Sequence, residues 1–147
     1  MTRVGSTLVL SSALLMGACG IGEQAQERCL FIDETALSPL LGDVVVERLE
    51  VGDLEICEWR SDSSGDVVMV QLETVPDPSL FIQHSVEATD PGRVRWLDQA
   101  AGSVLFEDEA VLGRHGNQVV LITGTVATDE LVPVLEATLA GLADDEA

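Results

Sequence analysis

Valine-rich runs bounded by turn residues fill the middle of the chain. Val44–Val51 and Leu54–Arg60 read as two strands joined by Gly52-Asp53, a Gly-first pair suited to a type II′ hairpin turn. Asp62-Ser63-Ser64-Gly65 marks the next turn. Val67–Val75 follows as a third strand, with Val68, Val70 and Leu72 alternating onto one face. Asp77-Pro78 places a capping oxygen just before a proline, which predicts a helix running to about Ala88 and broken by Thr89-Asp90-Pro91-Gly92. Residues 93–103 carry no pattern that assigns them. Val104–Gly113 and Gln118–Val126 read as a final hairpin around Arg114-His115-Gly116-Asn117.

The two ends of this β-rich stretch read as helical. Leu131, Leu135, Thr138, Leu139 and Leu142 form one stripe of a 3.6-residue period. Pro133 is tolerated only in a first turn, so this helix begins near Asp129 or Glu130. Ahead of the strands, Leu30, Phe31, Leu37, Leu40 and Leu41, with Asp33 or Ser38-Pro39 as starts, predict a short helix ending at Gly42. The expected fold class is therefore α+β: an antiparallel sheet of about five strands with helices packed on it, in the order α-βββ-α-ββ-α.

The first residues follow a different pattern. A single positive charge at Arg3 precedes the apolar Leu8-Val9-Leu10 and Ala13-Leu14-Leu15-Met16, too short and too serine-interrupted to span a bilayer. The segment closes on Gly17-Ala18-Cys19, with small residues where a signal peptidase would cut, and Leu15-Met16-Gly17-Ala18-Cys19 resembles a bacterial lipobox. This predicts a lipoprotein signal at 1–18, with Cys19 as the acylated first residue of the mature chain. The plain alternative is an ordinary secretory signal with an incidental cysteine. Residues 19–28 then form a polar tether reaching about 30 Å at most. A single domain at 29–143 and an acidic tail at 144–147 complete the organisation. Three cysteines are an odd number for an exported chain; with Cys19 assigned to lipid, Cys29 and Cys57 can pair in an oxidising compartment.

Charge narrows the partners. The chain carries 26 Asp and Glu against 7 arginines and no lysine, a net charge of −19. Such a surface argues against nucleic acid and against electrostatic attachment to anionic lipid, so membrane attachment would rest on acyl chains at Cys19. A cation-binding or halo-adapted surface is one reading of this acidity, and simple solubility is the other.

In its motifs the chain resembles a family of actinobacterial envelope lipoproteins of unknown function. The resemblance rests on the lipobox Cys19, on Cys29, on the Cys57-Glu58-Trp59 strand, on Asp108-Glu109-Ala110, on Gly116-Asn117-Gln118-Val119-Val120 and on the closing helix. It covers roughly residues 29–142. Glu107 stands where the family often has glycine. The resemblance implies a Cys29–Cys57 bridge and an α+β sandwich, and no particular chemistry.

Candidate chemistry is sparse. There is no Gly-x-Ser-x-Gly elbow, and His84-Ser85 are neighbours that a helix would not make face each other. His84 and His115 lack metal-ligand spacing, and His115 reads as a solvated turn residue. Asp62-Ser63-Ser64-Gly65-Asp66 lacks the distal bidentate acid of a calcium loop, and Glu107-Asp108-Glu109 reads as a solvated acidic loop. The one basic-aromatic cluster is Arg93, Arg95 and Trp96, a candidate stacking platform for sugar or lipid head groups, or else an arginine–carboxylate pairing beside an anchoring tryptophan. No catalytic residue, metal or cofactor is assigned. The expected function is a membrane-anchored, extracytoplasmic envelope lipoprotein acting as a binding or accessory module for an envelope protein or lipid. The alternatives are a hydrolase-like envelope enzyme and a structural or shielding surface lipoprotein.

Overall fold

Alternation along the strands sends apolar side chains to both faces of one sheet, and helices cover each face. A computed structural model describes residues 36–146. The expected signal, the lipidation site Cys19, the tether and Cys29 lie outside the described residues. In chain order the elements are α1 (Ser38–Leu41), β1 (Val44–Val51), β2 (Leu54–Ser61), β3 (Val67–Thr74), α2 (Pro78–Glu87), β4 (Val94–Asp98), β5 (Ser103–Phe106), β6 (Ala110–His115), β7 (Gln118–Gly124) and α3 (Val132–Glu146). Short 3₁₀ turns at Pro91–Arg93 and Thr128–Leu131 lead into β4 and α3.

The strands lie side by side as β1-β2-β3-β7-β6-β5-β4, every pair antiparallel. Two meanders, β1–β3 and β4–β7, thus meet along the β3–β7 seam. At that seam Gly124 pairs with Val68, and a Cβ on Gly124 would sit 2.8 Å from the Val67 carbonyl oxygen. The glycine is required there by close backbone approach.

This architecture overturns the expectation of about five strands in the order α-βββ-α-ββ-α; the sheet has seven strands and the order α-βββ-α-ββββ-α. Both additional strands have physical reasons for being missed. Strand β4 hides in the unassigned residues 93–103, because it is an edge strand with exposed Arg95 and Trp96 and a register shift between Trp96 and Asp98. The run Val104–Gly113 is two strands rather than one. Its residues are buried on both faces, Ser103–Phe106 and Ala110–Gly113 alike, so no alternation marks the break. The chain reverses at Glu107-Asp108-Glu109, where Asp108 adopts φ +61° and the Glu109 N–H donates to the Phe106 carbonyl at 3.0 Å. Aspartate is one of the few side chains that tolerate this left-handed conformation.

One face, here called inner, carries the larger core. Cys57, Trp59, Val68, Val70, Val120 and Ile122 pack there against Leu37 and Leu41 of the α1 region, against Leu131 of the 3₁₀ turn, and against Val134, Leu135 and Leu142 of α3. Thr138 is fully buried in that helix, and its hydroxyl donates to the Val134 carbonyl at 2.7 Å, which satisfies it. The outer face carries a smaller core in which Ile82 and Val86 of α2 meet Val104, Phe106, Leu112 and Val119. Helix α2 starts as its sequence dictates, with the Asp77 carboxylate accepting from the Leu80 N–H at 3.1 Å and Pro78 in the first turn.

Candidate functional site

Helix α2 covers the β4–β7 half of the outer face and leaves a concavity along each flank. The first pocket, of about 400 Å³, lies between Phe81 and Ser85 of α2, Thr89 just beyond its end, and Phe106, Ala110, Leu112, Leu121 and Thr123 on the sheet. These positions recur every four residues, so Phe81 and Ser85 share one flank of the helix and Thr89 continues that line. Two of the three hydroxyls at this pocket are engaged with backbone: Ser85 Oγ donates to the Phe81 carbonyl at 3.0 Å and Thr89 Oγ1 to the Ser85 carbonyl at 2.8 Å, while Thr123 lines the sheet side. The rim acid, Glu109, faces Arg93 at 3.9 Å. What remains in the lining is mainly aromatic and aliphatic.

The pocket is continuous with a row of side chains running across the sheet. Strand pairing aligns Leu49, Ile56, Gln71, Leu121 and Leu112 on the outer face. Exposure along this row falls from 57 % at Leu49 to 1 % at Leu112. Val45 and Val51, at 50 % and 58 % exposed, lie on the same face of β1. No helix among the described residues covers this half of the outer face.

The second pocket, also about 400 Å³, lies on the opposite flank of α2 and includes Ser79, Gln83, Glu87, Trp96, Gln99 and Arg114 in its lining. Arg114 was read from sequence as part of a loop. It lies in strand β6, because the hairpin turn is only Gly116-Asn117 and His115 pairs directly with Gln118. His115 is accordingly half-buried at a strand end, which corrects its reading as a solvated turn residue.

The cluster expected from sequence is divided by the pleat. Successive residues of β4 point to opposite faces, so Trp96 lies with the outer-face pocket while Arg95 lies on the other side. Arg95 pairs with Asp129 and, at 3.5 Å, with Glu107. Its hydrogen bond to Asp129 is the main cause that raises its pKa above the ordinary arginine value. Arg93 donates to the Glu107 carbonyl at 2.7 Å. The acidic turn 107–109 is thus the partner of both arginines. At the far edge, Arg48 is held by Glu50 and Glu55, each at 2.7 Å. Its pKa is raised chiefly through the Glu55 hydrogen bond, so it stays charged throughout the usable pH range.

Other candidates resolve into structure. In the Asp62–Asp66 turn, the two Asp66 carboxylate oxygens accept from Ser64 Oγ at 3.0 Å and Thr125 Oγ1 at 2.8 Å. Among the described residues, no three His, Cys, Asp or Glu side chains gather as a metal set, and no helix is long and apolar enough to cross a membrane. Cys57 is 1 % exposed within the inner core. Sequence reasoning had singled out none of Phe81, Phe106, Leu121 and Arg114. The first three fall within predicted helix or strand segments with no further mark, and Arg114 read as turn. No family model matches the chain, and neither a curated protein nor a solved structure matches it.

Proposed function

We propose that this protein is a membrane-anchored lipoprotein of the cell envelope that works as a non-catalytic binding module, taking an acyl chain of an envelope lipid into the pocket between α2 and the outer sheet face. The observation that carries this is the pocket itself. It is lined by Phe81, Phe106, Leu112 and Leu121, the Ser85 and Thr89 hydroxyls are committed to backbone carbonyls, and it opens onto the largely apolar row led by Leu49. A concave apolar surface of this size suits hydrophobic capture. Without a nucleophile–base pair it offers no route to hydrolysis. The −19 charge disfavours attraction to anionic head groups and nucleic acid, which leaves hydrophobic contact as the source of affinity. The lipobox at Cys19 supports anchoring, since a short tether would hold the domain within about 30 Å of the bilayer. The Cys29–Cys57 bridge belongs to the same proposal. It is supported by Cys57, a buried cysteine whose sulfur is bonded rather than a titrating thiol. Such a bridge would contribute about 3.6 kcal/mol in the chain-entropy account.

Photo-crosslinking of the intact protein with a diazirine fatty acid tests the pocket. Adducts are expected on peptides carrying Phe81 or Leu121, with yield insensitive to salt and strongly reduced by Phe81→Asp. Adducts spread elsewhere, or undiminished in that variant, would remove the acyl-binding reading. Turnover of an envelope ester abolished by a single side-chain substitution would replace it with an enzyme. Fatty-acid labelling that persists in Cys19→Ser would remove the anchor.

A further inference from the structure

Arg114 stands apart from the other arginines. Arg48, Arg60, Arg93 and Arg95 each pair with at least one carboxylate, as expected on a chain with 26 acids. Among the described residues, Arg114 is the one arginine with no carboxylate partner. It is half-buried, and its stem runs tightly past Gly102 in the β4–β5 turn. A Cβ at Gly102 would come within 3.0 Å of Arg114 Nε and 3.4 Å of Cδ, and the residue sits at φ +83°. One glycine therefore makes the turn possible and leaves room for the arginine. Trp96 lines the same pocket, 37 % exposed despite its size, and the acid at this pocket, Glu87, accepts a hydrogen bond from Gln83 at 3.2 Å.

We infer that this second pocket is a binding site for a small monocarboxylate with a flat apolar body, its carboxylate held by Arg114 and its body laid against the Trp96 indole. The guanidinium fork matches a carboxylate bidentately, and partial burial strengthens that charge-assisted pair. An exposed indole face gains most from an aromatic or other flat partner. About 400 Å³ is at the small end of ligand sites, which limits the ligand to a compact molecule. A single available cation beside Glu87, on a chain of net charge −19, selects a monoanion over a phosphate dianion. The site shares no lining residue with the apolar pocket on the other flank, and it does not depend on the acyl-binding reading.

Nuclear magnetic resonance titration of the isotope-labelled intact protein with naphthoate, naphthamide and naphthyl phosphate tests the site. The indole N–H of Trp96 and the Nε–H of Arg114 report it, and the fully buried Trp59 serves as the internal control. Naphthoate is expected to shift both reporters saturably and leave Trp59 unmoved. The neutral amide and the phosphate should bind at least about tenfold more weakly. Arg114→Gln and Trp96→Ala should each weaken naphthoate by a similar factor. Should Arg114→Gln fail to fold, the comparison of acid with amide on the unaltered protein still decides. Equal binding of acid and amide, no saturable shift with naphthoate at millimolar concentration, or tighter binding of the phosphate would each overturn the inference.

Discussion

The two faces of the sheet are built from the same seven strands and do opposite things. On the inner face, α1 and α3 bury Trp59, Val68, Val70 and Ile122 to 1 % exposure or less. Val44 and Val46 of β1 still pack against that core, and beyond them the inner face closes with the Arg48–Glu50–Glu55 ion cluster. On the outer face a single ten-residue helix covers half the strands, and the other half leaves Val45, Leu49 and Val51 about half-exposed. Strand β1 thus presents three half-exposed aliphatic side chains, Val45, Leu49 and Val51, with Glu47 on its open side, while Val44, Val46, Arg48 and Glu50 face the covered side. Under the proposed function, the apolar surface left uncovered beside the pocket serves binding, whereas the covered face serves stability.

This division makes the expected effects of substitution unequal. The largest is Trp59→Ala on the inner face, expected to cost about 3–5 kcal/mol through lost burial and a cavity, read from the shift of a urea unfolding midpoint. A loss below about 1 kcal/mol would show that the inner core is not the main source of stability. Next is the seam between the meanders. Gly124→Val drives a side chain toward the Val67 carbonyl and should cost about 1–3 kcal/mol, with accelerated amide exchange in β3 and β7 rather than in β1. Smaller again is Asp77→Ala, which removes the cap of α2 and should cost about 1 kcal/mol, with fraying confined to α2 in hydrogen exchange. The smallest change in stability is expected for Leu49→Ser on the open half, within about 0.5 kcal/mol. That same variant should reduce capture of an acyl probe. A variant that loses stability but keeps capture would place the open row among the structural residues.

Much of the local structure was legible before the fold was known. Val44–Val51 and the Gly52-Asp53 turn announced the first hairpin, and Asp77-Pro78 announced the start of α2, because each signal acts over a few residues. The closing helix followed from its leucine spacing, although Val134, buried in the same stripe, was not counted in it. Failures arose where local signals were cancelled by tertiary burial. The run 104–113 is apolar on both faces, so its reversal at Asp108 left no periodic trace. Strand β4 carries its polar residues at an edge and a bulge beside Asp98, which disguises its alternation.

The candidate sites were less legible than the fold. Arg93, Arg95 and Trp96 are close in sequence, yet the pleat sends Trp96 and Arg95 to opposite faces, and the acidic turn 107–109 takes up both arginines. Phe81, Phe106 and Leu121 come from three separate elements, and nothing in their own neighbourhoods distinguishes a pocket lining from a core. By itself the sequence determined the net charge of −19, most of the strand- and helix-forming segments and the cap of α2, all properties of composition or short-range geometry. Only the tertiary structure decided that α2 crosses to the outer face, covers one meander and leaves a pocket on each flank. That outcome depends on the antiparallel pairing of β3 with β7, residues about fifty positions apart whose contact no local pattern encodes.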